Sequence, residues 1–239
     1  MTRRGNMTGT FINITAILIG GTIGLFFGAR IPERFKNTVI AGMGLFTSAM
    51  GLQMFLKSEN QLIVLGALII GALIGEWLKI EDRLQAFGQT LEQRFSKDSE
   101  TGAGSKFVRG FMVSSLLFCI GPMAILGSIQ DGLTGDYNLL AVKSTLDGFA
   151  SIAFASTLGV GVMFSSIIIL VYQGGISLLA GQLNAIITDP MMAEMTATGG
   201  VILMGVAFSN LLEIKKIRVG NFLPALVVAP LIVWVLSLF

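Results

Sequence analysis

The sequence predicts an all-α fold, a polytopic membrane helix bundle of about eight transmembrane helices. Three observations predict it. Hydrophobic residues make up 53% of the chain and charged residues 13%, where a soluble globular domain carries roughly 25% charged residues. The charges cluster, and the uncharged runs between them approach the about 20 residues a helix needs to cross a bilayer. Most of the 16 basic residues then fall on alternate loops, as the positive-inside rule requires. At 239 residues the chain suits one integral membrane domain, 1–239.

The elements follow in order. The apolar run 7–28, between Arg4 and Arg30, is too long for a signal-peptide core and is followed by further spans, so it reads as the first helix. The second lies between Lys36 and Lys57, and the third at 61–77 tolerates Glu76 near its end. The fourth lies between Arg109 and Asp131. The uncharged stretch from Asp147 to Asp189 is too long for one crossing. It divides into a fifth span at 138–157 and a sixth at 160–181, turning near Gly159 and Gly161. Spans at 191–212 and 220–239 complete the set.

With the N-terminus outside, the cytoplasmic loops carry Arg30, Arg34 and Lys36, then Lys79, Arg83, Arg94, Lys97, Lys106 and Arg109, and finally Lys215, Lys216 and Arg218. A seven-helix count would put the last three outside. Arg3 and Arg4 run against the rule. The segment 79–105 is the one substantial polar stretch, expected to be a cytoplasmic amphipathic helix and loop. Leu78, Ile80, Leu84, Phe87, Leu91 and Phe95 recur at helical spacing, with Glu81, Asp82, Arg83, Glu92 and Arg94 between them. The helix is expected to lie in the interface, continuous with the third span or bent from it, and 97–105 reads as a loop.

A weak internal repeat runs through the apolar text. IGGTIGLFFG at 19–28 echoes QGGISLLAG at 173–181. Val39, Ile40, Phe46 and Thr47 match Val201, Ile202, Phe208 and Ser209. LGALIIGALI at 65–74 matches LPALVVAPLI at 223–232. Helices 1–3 would map onto 6–8 as an inverted repeat, an architecture of many secondary transporters. Apolar composition alone would also produce such matches.

The chemistry concentrates between the two repeats. Gly121 and Pro122 sit in mid-span, followed by Gly127 and Ser128; proline removes a backbone hydrogen bond and kinks or breaks a helix. Broken helices survive in hydrocarbon where they pack in protein or line a wet cavity. Gln130 and Asp131 close this span, with Gly132, Thr134, Gly135 and Asp136 beyond. Such oxygens either hold a hard cation or form a solvated glycine-rich turn. Lys143 and Asp147 are four apart and share a helix face. Asp147 lies about ten residues, roughly 15 Å, into its span and reads as the deepest charge. The pair is either structural or a site where Na+ or H+ competes with Lys143. Ser144, Thr145, Ser151, Ser156 and Thr157 add a polar stripe. Asn13 and Asn210 are intramembrane amides, for interhelical hydrogen bonds or solute contact, and Glu76 and Glu213 are expected to snorkel at cytoplasmic ends.

Other chemistries are excluded or disfavoured. The chain has no histidine and one cysteine, Cys119, which removes Ser-His-Asp and Cys-His catalysis and any cysteine-based metal site. No catalytic residue, cofactor or metal ligand set is assigned. A net charge of +2, with no basic patch interleaved with aromatics, argues against nucleic acid. The partners expected are the lipid bilayer, a small solute or ion, and further copies of the chain in a homo-oligomer.

The runs IGPMAILGSIQDGLTGD at 120–136 and KSTLDGFASIAFA at 143–155, with IPERFK at 31–36 and GLQ at 51–53, resemble the signature of the YqgA-like bacterial inner-membrane proteins. The resemblance covers nearly the whole chain. It implies a multi-pass plasma-membrane protein of the transporter type and supplies no substrate and no functional residues. The functions left open are an ion-coupled secondary transporter, an oligomeric ion channel using the same parts, and a membrane helper without a transported solute. A lipid-acting enzyme is the weakest reading without histidine.

Overall fold

The computed structural model describes residues 7–28, 30–95 and 105–238. The expected loop at 97–104, with Lys97, and the outlying Arg3 and Arg4 lie outside the described residues. Among the described residues every regular element is helical: α1 (Thr8–Gly28), α2 (Glu33–Phe55), α3 (Gln61–Leu78), α4 (Ile80–Phe95), α5 (Lys106–Cys119), α6 (Pro122–Thr134), α7 (Asn138–Leu158), α8 (Gly161–Leu178), α9 (Ala180–Ile186), α10 (Asp189–Val206) and α11 (Ala225–Leu236). A π-helical turn, Ala207–Leu211, continues α10, and a 3-10 turn, Val219–Phe222, precedes α11. Among the described residues seven helices are long and apolar enough to cross a membrane, or eight if the bent pair α5–α6 is one span.

Local chemistry sets many of the ends. Asn60 accepts the Leu62 N–H at 3.1 Å and caps α3, and Ser105 accepts the Val108 N–H at 3.1 Å and caps α5. Lys79 takes a left-handed conformation (φ 51°) that separates α3 from α4, so the amphipathic helix is bent from the third span rather than continuous with it. The residue before a proline avoids the helical region, while proline suits the first turn of a helix. At Gly121-Pro122 the chain therefore breaks: α5 ends at Cys119, α6 starts at Pro122, and the two meet at 64°.

The chain forms two compact units, one from Met1–Ile40 and Gly88–Ile186, the other from Ala41–Phe87 and Ile187–Phe239. In the first unit α1 lies along α7 on a stripe of glycines. A Cβ on Gly20, Gly24 or Gly28 would run into the backbone of Gly148, Ile152 or Ser156 respectively, the close approach by which helices associate in lipid. Both series ascend, so α1 and α7 run in the same direction. Against α8 the order reverses, with Gly174 at Met7 and Gly21 at Met163. The bent pair lies beside α8, with Gly161 on the Phe107 carbonyl at one end and Gly132 on that of Ser177 at the other. It thus accompanies α8 over its whole length, about 27 Å, and counts as one full crossing. That agrees with the eight-span count, in which the first and fifth spans point the same way.

In the second unit Gly51 and Gly200 pack on each other's backbone, and Gly71 and Gly75 meet Ala225 and Asn221. The matched sequence segments share units: α1 with α8 in the first, and most of α2 with α10, and α3 with α11, in the second. Each couple is antiparallel. Alternating crossings impose that on any such couple, so the pairing alone does not establish the inverted repeat.

Two expectations about charge are corrected. Glu81 and Glu92, assigned to the polar side of the amphipathic helix, are 6% and 2% exposed, because α4 packs on protein as well as presenting a polar face. The span of α10 carries an acid of its own. Glu194, 2% exposed, accepts from Ser58 Oγ and from the Glu59 and Asn60 N–H groups, each at 2.8 Å. It clamps the α2–α3 turn.

Candidate functional site

The site lies in the first unit, where α1, α7 and α8 meet beside the break between α5 and α6. The glycine stripe brings Asn13 against α7, and one helical turn separates Lys143 from Asp147 on the inward face. The Lys143 ammonium and the Asp147 carboxylate form an ion pair, their side chains only 8% and 11% exposed. Asp147 Oδ2 also accepts from Asn13 Nδ2 at 3.0 Å, and the same nitrogen donates to Gln173 Oε1 on α8 at 3.2 Å. Asn13 and Gln173 are completely buried. Phe118 near the end of α5 lies against Phe154 of α7, and Gly127 of α6 against Leu140, so the helix break falls between these two levels of α7, at the height of the pair.

This cluster is over-supplied with polar atoms. Asn13 Oδ1, Gln173 Nε2 and Ser151 Oγ are buried without a hydrogen-bond partner; elsewhere in the first unit Thr10 Oγ1, Ser115 Oγ, Asp131 Oδ1 and Ser177 Oγ are in the same condition. Leaving a buried polar group unpaired costs about 1–3 kcal/mol, and folded proteins leave few of them. Among the described residues only Thr198 Oγ1 shares this condition in the second unit.

The remaining expected residues divide. Asp131 is fully buried and separate from Gln130, which is exposed. Asp131 Oδ2 accepts the Gly9 N–H at 2.8 Å, so its carboxylate caps the N-terminus of α1 from α6, where a negative charge complements the helix dipole. Asp136 accepts the Asn138 N–H at 3.0 Å. The carboxylates of Asp131 and Asp136 thus each serve a helix start, while Thr134 Oγ1 bonds within the turn, donating to the Gln130 carbonyl and accepting the Asp136 N–H. Gly127 fits against Leu140, and Ser128 bonds back to the Ala124 carbonyl at 2.6 Å; both fit α6 into the bundle. Asn210 sits half-buried in the π turn of the second unit. The polar stripe of α7 splits: Ser144, Ser151 and Thr157 are buried, and Thr145 is exposed. By exposure Asp147 is not the most enclosed acid; Asp131, Glu92 and Glu194 are more so.

Where α4 meets the ends of two spans, the second unit has a polar knot. Glu81 accepts the Gly220 N–H at 2.7 Å, and its own N–H goes to Asn221 Oδ1 at 2.8 Å. Glu76 accepts from Arg218 at 3.0 Å and from Asn221 Nδ2 at 2.5 Å. Burial pushes the Glu81 carboxyl above its usual range, against the pull of the Gly220 N–H and the Gln85 amide. Gln173 is the functional candidate that local pattern missed. Its one signal was an uncompensated amide inside an otherwise apolar span.

Residues 8–234 match the family described as "Protein of unknown function (DUF554)". The chain belongs to this family. It is similar to the "Uncharacterized membrane protein YdfK" of Bacillus subtilis (strain 168), 31% identical over 98% of this chain and 98% of that protein. It is similar as well to the "Uncharacterized protein YqgA" of Escherichia coli (strain K12), 32% identical over 92% of this chain and 94% of that one. No solved structure matches. The DUF554 chain is thus a multi-pass membrane protein, in keeping with its helices and with the YqgA-like signature.

Proposed function

We propose that this DUF554 chain is an ion-coupled secondary transporter of a small solute or cation in the bacterial inner membrane, with Asp147 in the coupling site. One observation carries the reading: an ion pair buried in a membrane bundle, beside a broken helix, among polar side chains with unfilled hydrogen-bonding capacity. Ionisable groups in membrane spans are costly and mark pathways and relays. Broken helices near mid-membrane are a common way to build substrate and ion sites. A purely structural pair would leave no reason for Asn13, Gln173 and Ser151 to converge on it half-satisfied. Nothing in this arrangement requires an enzyme.

The test is flux in liposomes holding wild type or Asp147→Asn, first with Na+ and H+ and then with small anions and metabolites. The expected result is wild-type flux that disappears in the variant. Flux that survives Asp147→Asn would reduce the pair to a structural role.

A further inference from the structure

The oxygens around Asp147 allow the coupling ion to be named, on the transport reading above. Asn13 is held by its nitrogen, which donates to Asp147 Oδ2 at 3.0 Å and to Gln173 Oε1 at 3.2 Å. Turning the amide over would press its oxygen against a carboxylate and a carbonyl, acceptor on acceptor, so the orientation is chemically determined. Asn13 Oδ1 is then a fully buried acceptor with no donor. Ser151 Oγ, one helical turn beyond Asp147 on the same face of α7, is also fully buried and unpartnered. Carboxylate, amide carbonyl and hydroxyl oxygens are hard ligands, suited to Na+, Mg2+ or Ca2+ rather than to soft metals.

Charge narrows the choice. Asp147 is the acid that the hydrogen bond from Asn13 and the ion pair with Lys143 tie to this cluster, so its one negative charge is already balanced by Lys143. A monovalent cation can replace the ammonium one for one. A divalent ion would leave excess charge in a low-dielectric interior, which is expensive. A proton on Asp147 would release Lys143 yet leave Asn13 Oδ1 and Ser151 Oγ unmatched.

The geometry points to a sodium site formed by the Asp147 carboxylate, Asn13 Oδ1 and Ser151 Oγ, at which the Lys143 ammonium is a built-in competitor that withdraws when Na+ binds. The flexible four-carbon stem of lysine permits that withdrawal without backbone movement. The competition makes the site alternate between Asp147–Lys143 and Asp147–Na+, and the second state is neutral because the withdrawing ammonium carries its charge out to water or gives up its proton there. A coupling ion needs such an exchange.

The experiment is thermal unfolding of the purified full chain in detergent, titrated with NaCl replacing choline chloride at constant ionic strength, with KCl in parallel. Wild type should gain stability saturably with Na+ and not with K+. Lys143→Gln removes the competitor and should lower the Na+ midpoint by about tenfold, since ligand stabilisation follows the ratio of concentration to Kd. Asp147→Asn and the double variant Lys143→Gln/Asp147→Asn should lose the Na+ response. Asn13→Ala keeps the ion pair and deletes one oxygen, so it should raise the midpoint by about tenfold, and it decides the matter if Lys143→Gln fails to fold. No Na+ response in wild type, equal stabilisation by K+, a response that survives Asp147→Asn, or an unchanged midpoint in Asn13→Ala would each overturn the site. A missing sodium response with liposome flux intact removes only this inference. Sodium binding without flux removes the transport reading instead.

Discussion

Neutralising Asp147 alone should be far more damaging than neutralising it together with Lys143. The two side chains are 11% and 8% exposed, so Asp147→Asn deprives a buried ammonium of its counter-charge, leaving it to neutral oxygens or to a withdrawal that gives up its packing. Removing one partner of a buried pair costs about 3–5 kcal/mol, whereas replacing both by neutral groups of similar volume is often nearly neutral. Lys143→Met/Asp147→Asn retains the Asn13 contact through the new amide oxygen and should cost no more than about 2 kcal/mol. With each single change costing about 3–5 kcal/mol, the double-mutant cycle should therefore show a coupling of at least about 4 kcal/mol. Unfolding in mixed micelles, titrated with dodecyl sulfate, measures all four proteins on one scale. Additive single effects, within about 0.5 kcal/mol, would mean that water already solvates both charges, and the argument from a buried pair would fail.

Three further outcomes follow from the packing. Gly24→Ala puts a methyl group into the Ile152 backbone and should destabilise by about 1–3 kcal/mol, while Gly42→Ala, with nothing within 4 Å, should be neutral or gain up to about 1 kcal/mol of helix propensity; equal effects in the same micelle titration would refute the glycine seam between α1 and α7. Glu194→Gln weakens three hydrogen bonds to the α2–α3 turn and should cost about 1.5–3 kcal/mol, with faster proteolysis at residues 58–60 as its local sign; unchanged stability and proteolysis would contradict the clamp. For Glu81, burial raises the carboxyl above its ordinary value of 4.5, so the folded state holds this proton more tightly than the unfolded chain does. Its contribution is full below about pH 4.5 and declines as pH rises through the raised pKa. Thermal midpoints of Glu81→Gln should accordingly improve relative to wild type from pH 4 to pH 8, and a difference that stays flat across that window would show that Glu81 is not desolvated.

The sequence by itself determined the class of molecule and most of its one-dimensional plan. Hydropathy is a property of local composition, so α1, α8 and α11 could be read from uncharged runs, and α2, α3 and α7 from apolar runs that tolerate a few charges. The break at Gly121-Pro122 followed from proline's missing N–H, and the Lys143–Asp147 pair from the helical period. What the tertiary structure decided involves partners far apart in the chain. Asn13 meets Asp147 and Gln173 across 134 and 160 residues, and Asp131 caps Gly9 across 122. No local period links such positions. They are brought together because glycines let α1 and α7 approach in parallel at one register, and that register selects which polar side chains share an interior. The same reason separates Asp131 from Gln130, adjacent in sequence but a third of a turn apart on the helix, one sealed against α1 and the other left on the outside.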